Sequence, residues 1–242
     1  MGQINARSVK NKTFEITNLL LDNDNQMEIK TIHGVFDNCS LVDNGVNSNN
    51  LIAIESESLN LKHKLKVSYM NARSICNKSD DIVDFILDSK SDVTAITETW
   101  LSGDAERDKV VCENVTPKGN KLETASRKTG KGGRVVVVFK SSLKCKCKRA
   151  KSYKSFEYLE LFLTHRTYSV TVCVIYRPPT GTKHSATYSD FLTDFQNYMS
   201  SVVMAHAKLL LLGDFNIHMN KITADRDKFA EVLFSLNLTQ HV

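Results

Sequence analysis

Residues 134–139 read "RVVVVF". Four consecutive valines lose side-chain freedom in a helix and fit a pleated surface, so the run is a strand. It does not alternate apolar with polar, so both of its faces must be covered. A chain built around such a strand is layered, with sheets covered by other elements. Its 242 residues are enough for one large α/β domain or two small ones.

The rest of the pattern fits such layers from about residue 65 onward. "LKVSYM" (65–70) is a strand with Leu65, Val67 and Tyr69 on one face. "KSDDIVDFILDSK" (78–90) reads as a helix, with Ser79 placed to cap it and Asp80 and Asp81 at its positive end. "DVTAIT" (92–97) is a short apolar strand, and "EYLELFL" (157–163) and "YSVTVCVIY" (168–176) alternate as paired strands. "YSDFLTDFQNYMSSVV" (188–203) sets Phe191, Phe195, Met199 and Val202 at helical spacing. "KLLLLGDFN" (208–216) is a buried strand running into a loop, and "DRDKFAEVLFSLNL" (225–238) closes the pattern as a helix. Residues 1–60 differ. Their Asn, Asp and Ser content favours turns over a packed core, with "KTFEITNLLLDND" (12–24) predicted as a short amphipathic helix.

Four strand ends stop on polar groups: Asn71, Glu98, Tyr176, and Asp214 with Asn216. A carboxylate after an apolar strand is costly unless it is exposed, paired or bound to metal. Gathered at one rim, these groups would suit phosphodiester hydrolysis. Glu98 offers a hard oxygen for Mg²⁺, Asp214 a base or water-positioning group, and Asn71 and Asn216 amides. Taken singly, Asn71 and Asp214 read as turn residues and Tyr176 as a sheet aromatic.

Charge is unevenly placed. Residues 118–154 carry 13 Lys and Arg against Glu123 alone, a field that attracts phosphate polymers. No run approaches the roughly 18–20 apolar residues of a membrane span. The first residues lack the apolar stretch of a signal peptide, and six scattered cysteines suggest free thiols. The expected setting is intracellular, nucleus or cytoplasm, with no membrane partner and no small-molecule cofactor.

In order, "NARS…NK", "ITETWL", "GGRVVVVFK", "VIYRPP" and "LLLLGDFN" resemble the endonuclease domain of non-LTR retrotransposons, in the endonuclease/exonuclease/phosphatase superfamily. The resemblance covers 65–242. It implies an α/β fold, a four-layer α/β sandwich of that type. By the same resemblance Glu98 binds Mg²⁺ (or Mn²⁺), Asn71 lies at the metal and phosphate, and Tyr176 contacts the scissile phosphate. Asp214 orients or deprotonates the attacking water, Asn216 holds the phosphate, and double-stranded DNA is nicked. Arg73 and Arg177 beside the motifs, and Lys128, Lys131 and Arg134 in the basic region, are candidate DNA contacts.

The resemblance also implies a later Thr or Ser, a later Asp and a Ser-Asp-His motif. The sequence reaches "LNLTQHV" before any of these, so the sandwich is expected to be incomplete at the C-terminus and nicking weak or absent. Two alternatives stand beside the endonuclease: a DNA-binding remnant without catalysis that uses 118–154, and, less favoured, a phosphatase of the same superfamily. "INARSVKNK" (4–12) partly duplicates "MNARSICNK" (70–78). Only the second copy has a strand before it and "ITETW" at the right distance after it, so Asn71 is expected in the site and Asn5 is not.

Overall fold

The computed structural model describes residues 65–125, 133–148, 152–165, 168–179, 186–205, 208–217, 219 and 221–238, and the backbone of strands at 12–21 and 27–36. Asn5, Lys128 and Lys131 lie outside these described residues.

Strands β1 (Lys12–Leu21) and β2 (Met27–Phe36) form an antiparallel hairpin with Lys12 opposite Phe36 and Leu21 opposite Met27. The helix expected over 12–24 is therefore a strand. Thr13, Phe14, Ile16 and Thr17 are strand formers, and a ten-residue partner across a short connection outweighs the local helical spacing.

From residue 65 onward two four-stranded sheets form. The first has β3 (Val67–Asn71), β4 (Val93–Thr97), β5 (Asn120–Thr124) and β6 (Val135–Lys140) in the order β3-β4-β6-β5. The second has β7 (Lys144–Lys148), β8 (Glu157–His165), β9 (Tyr168–Tyr176) and β10 (Leu209–Asp214) in the order β10-β9-β8-β7. β3 runs parallel to β4, and β9 parallel to β10; the other neighbours are antiparallel.

The valine run shows why the layers stack. Val135, Val137 and Phe139 of β6 face the second sheet, with Leu65, Val67, Tyr69, Leu159, Leu161, Val172 and Val174. Val136 and Val138 face outward into a cluster with Ile82, Ile86, Leu101 and Val115. Helices α1 (Ser79–Ser89) and α2 (Ala105–Asn114) cover that outer face. Across the molecule, α3 (Tyr188–Ala205) and α4 (Ala224–Ser235) cover the second sheet. Phe191, Phe195, Met199 and Val202 are all buried there with Phe156 and Phe229. Each such side chain contributes about 1.5–3 kcal/mol by leaving water. The order helix, sheet, sheet, helix is the four-layer α/β sandwich.

Two details depart from the sequence reading. Ser79 is the first residue of α1 rather than its cap, and Lys78 precedes it without a side-chain capping bond. Strand β5 and helix α2 carry no clear periodic signal, and the alternation of β7 is masked by its charge. α2 starts because Asp104 accepts hydrogen bonds from the N–H groups of Glu106 and Arg107. Among the described residues, no helix is long and apolar enough to cross a membrane.

Candidate functional site

Parallel pairing brings the four polar strand ends together. Asn71 lies opposite Thr97 at the ends of β3 and β4, and Asp214 lies opposite Tyr176 at the ends of β10 and β9. Each parallel pair finishes at one end of its own sheet, and the contact between Asn71 and Asp214 brings the two ends to one rim. One side chain then joins the sheets. Asn71 Nδ2 donates to Glu98 Oε1 at 3.0 Å and to Asp214 Oδ2 at 2.8 Å. An amide NH₂ thus supplies partial positive charge between two carboxylates.

The loops that follow these strands hold the carboxylates from behind. Ser74 N–H donates to Glu98 O at 2.7 Å, and Ala72 N–H to Thr97 O at 3.0 Å. Asn216 N–H donates to Asp214 Oδ1 at 2.9 Å, and Asn216 Nδ2 to Arg177 O at 2.6 Å. Six non-glycine residues with positive φ lie in these rim loops: Arg73, Ser74, Glu98, Trp100, Arg134 and Asn216. Each such conformation costs on the order of 1–3 kcal/mol and persists only where the surroundings dictate it.

The environment shifts the acids in the site. Burial pushes the Asp214 carboxyl above the ordinary aspartate value, and the nearby Glu98 charge adds to this. Hydrogen bonds from Asn216 N–H and Asn71, and the Arg73 charge, oppose it. Tyr176 is buried, and burial followed by Glu98, Asp214 and Glu157 drives its phenol upward, so it stays a neutral donor. A raised Asp214 means that the metal-free folded protein binds its proton more tightly than the unfolded chain. Stability falls as pH rises from the ordinary value of 3.8 through the raised folded one. Asp214→Asn is therefore expected to raise the melting temperature of chelator-treated protein at neutral pH. The gain should vanish near pH 3, and an equal gain at both pH values would contradict this.

The candidate DNA contacts separate into two groups. Arg73 is exposed, and its charge reaches Asp214. Arg177 and Arg134 are only 4% and 3% exposed. Arg177 Nη1 donates to Phe215 O at 2.9 Å and Asn216 O at 3.3 Å, and its guanidinium lies 5.0 and 4.9 Å from the Tyr188 and Phe191 rings. It holds the loop that carries Asp214 rather than facing solvent. Arg134 Nη1 reaches Asp108 Oδ2 at 3.5 Å beneath α2. An arginine beside a motif carries no sequence signal that distinguishes these two fates. Lys144, Lys146 and Lys148 form an exposed row on β7, an edge strand of its sheet. Lysines in such a row also keep an edge from pairing with another chain.

Lys78 was not a candidate, yet it matters. Its Nζ donates to Ala72 O at 2.8 Å and Arg73 O at 3.2 Å, closing the loop just after Asn71. The "NARS…NK" phrase thus describes a loop and the cation that ties it. Gly133 is a second unflagged residue. A Cβ there would stand 2.9 Å from Glu157 Oε1 and 3.0 Å from the Tyr176 ring.

Among the described residues, no group of three or more His, Cys, Asp or Glu side chains is placed to share a metal ion. The donor set that does converge is Glu98, Asp214 and the Asn71 amide. Mg²⁺ keeps several waters and needs only one or two protein carboxylates besides its substrate phosphate. The carboxylates of Glu98 and Asp214 are hard oxygen donors of the kind that ion takes.

A family model described as "Endonuclease/Exonuclease/phosphatase family" matches residues 58–233. A search of curated proteins returned no match. Similar solved structures include the endonuclease domain of TRAS1, a telomere-specific non-LTR retrotransposon, at 14% identity and TM-score 0.52, covering 71% of this chain and 70% of that one. The AP endonuclease LMAP from Leishmania major matches at 13% identity and TM-score 0.54, covering 72% and 67%. D. rerio TDP2 complexed with single strand DNA product matches at 8% identity and TM-score 0.50, covering 73% and 66%. The chain thus spans about two thirds of the length of each, and at these identities the likeness is one of fold.

Proposed function

The chain belongs to the endonuclease/exonuclease/phosphatase family, and on that premise we propose that it hydrolyses phosphodiester bonds in DNA with the help of Mg²⁺ or Mn²⁺. The observation that carries this reading is the Asn71 amide joining Glu98 and Asp214, carboxylates supplied by different sheets. Glu98 and Asp214 face each other across a bridging amide, with the exposed Arg73 near Asp214, a set suited to a divalent ion and a water.

Glu98 and Asn71 are the residues that would hold the ion, Asn71 through its Oδ1, which here accepts from Arg73 N–H at 3.2 Å. Such an ion would offset phosphate charge and polarise the bond that breaks. Asp214, half-buried and with its proton affinity raised, takes the proton of the attacking water at a carboxylate oxygen. The neutral Tyr176 hydroxyl donates to a phosphate oxygen. Asn216 is fixed by the Arg177 carbonyl through one N–H and has a second for the phosphate. Arg73, exposed beside Asp214, balances charge as the phosphate arrives.

Supercoiled plasmid tests the reading. Nicked circle is expected to accumulate in Mg²⁺ or Mn²⁺ and to stop on chelation. Plasmid left intact while a phosphomonoester is hydrolysed would replace the endonuclease with a phosphatase. Plasmid bound but never cut would leave the non-catalytic DNA-binding alternative.

A further inference from the structure

Trp100 is the single tryptophan of the chain, and the residue is 50% exposed. Its neighbours fold inward: Thr99 is 0% and Leu101 1% exposed. A ring of this size usually stabilises a core, yet Trp100 belongs to none of the three apolar clusters. The backbone beneath it is held on both sides. Trp100 N–H donates to Gly133 O at 3.0 Å, Thr99 N–H to Arg134 O at 3.3 Å, and Ile75 N–H donates to Thr99 O at 3.0 Å. Two residues earlier stands Glu98, so the two Cα atoms lie no more than about 7 Å apart. Both have positive φ, 52° at Glu98 and 56° at Trp100. The loop accepts an unfavourable backbone to turn a carboxylate toward the rim while a large aromatic residue is left half-exposed.

We propose that Trp100 is a stacking platform for an unpaired nucleobase adjoining the phosphate held at Glu98 and Asp214. The inference rests on the proposed DNA reading and narrows it. The substrate carries bases, and one base beside the scissile phosphate is out of its pair. A free aromatic face on a rigid loop takes such a base at little ordering cost. A sugar phosphate or a fully paired duplex gives it nothing to stack on.

The test uses the full chain carrying Asp214→Asn, so that DNA is not cut, in Mg²⁺. Binding of a labelled oligonucleotide is followed by anisotropy, and tryptophan emission is read in the same titration. Single-stranded DNA, or a duplex with one unpaired base, is expected to quench Trp100 saturably. An abasic strand of equal length and charge is expected to bind with little quenching. Trp100→Ala, in the same background, should weaken binding of the base-bearing strand about tenfold or more and leave the abasic strand unaffected. Trp100→Phe should retain most of the affinity and shows that the loop still folds. Full binding without a change in emission, or equal affinity of Trp100→Ala and its parent, overturns the platform while leaving the hydrolase reading intact. No binding of any oligonucleotide overturns both.

Discussion

Asp214→Asn is expected to reduce plasmid nicking by about 10²–10⁴-fold, the usual contribution of a positioned general base. The substitution keeps volume and shape and removes one charge and one proton acceptor. Asn71 Nδ2, which now bridges Asp214 and Glu98, would keep a partner in the new amide oxygen. Glu98→Gln is expected to fall comparably by a different route, because it weakens the hold on the ion. The double variant should lose little beyond the worse single one, since residues that act as a unit are not additive. Quantified conversion of supercoiled to nicked plasmid, at saturating Mg²⁺ and in a Mg²⁺ series, separates the two. Added Mg²⁺ should partly rescue Glu98→Gln and should not rescue Asp214→Asn. Undiminished nicking by either variant would remove that carboxylate from the chemistry. The melting temperature guards against a trivial explanation, because metal-free Asp214→Asn is expected to be the more stable protein at neutral pH. Lost activity with gained stability is the mark of an acid kept for function at a cost to the fold.

Much of the layering was legible because it rests on local pattern. The valine run has two buried faces, and both are filled, one by the opposite sheet and one by α1 and α2. Leu65, Val67 and Tyr69 share the face that their spacing assigned, and the α3 positions 191, 195, 199 and 202 are buried together. What was not legible depends on partners distant in sequence. β1 is a strand because β2 pairs with it, and its own ten residues contain no statement of that partner. Lys144, Cys145, Lys146 and Cys147 alternate in the manner of a strand, but the charge obscured the period. At the site, the polar strand ends stood out because each interrupts an apolar run. Their union was expected from the resemblance rather than from local pattern, since the Asn71–Asp214 bond spans 143 residues and depends on parallel pairing in both sheets. Arg177 and Arg134 show the limit of reading chemistry from residue type. A guanidinium suits phosphate, but Arg177 has met carbonyls and aromatic faces and Arg134 a carboxylate, and only burial tells which.

Gly213→Ala is expected to be severely damaging. Gly213 sits within β10 opposite Ile175 of β9, one residue before Asp214. A Cβ at this position would stand 1.9 Å from Ile175 O, 2.8 Å from Ile175 C and 2.9 Å from Ile175 N. Every one of those atoms is backbone, so no rotamer change relieves the contact. β9 and β10 must separate, or β10 must slip and carry Asp214 off the rim. Its φ of 151° adds a conformation that L-residues rarely take. Gly119 isolates that second effect: its φ is 86°, and an added Cβ meets nothing within 4 Å. Gly119→Ala is thus expected to cost only the backbone penalty, about 1–2 kcal/mol. Gly213→Ala should exceed about 4 kcal/mol, the range reserved for core disruption. Against a total stability of about 5–15 kcal/mol, that leaves a marginal or unfolded chain. Urea unfolding of the two variants and the parent decides the matter. Similar midpoints for Gly213→Ala and Gly119→Ala would mean that β9 and β10 do not approach as closely as the structure shows. A folded Gly213→Ala protein that has lost nicking would locate the damage in the placement of Asp214, the one residue both large effects share.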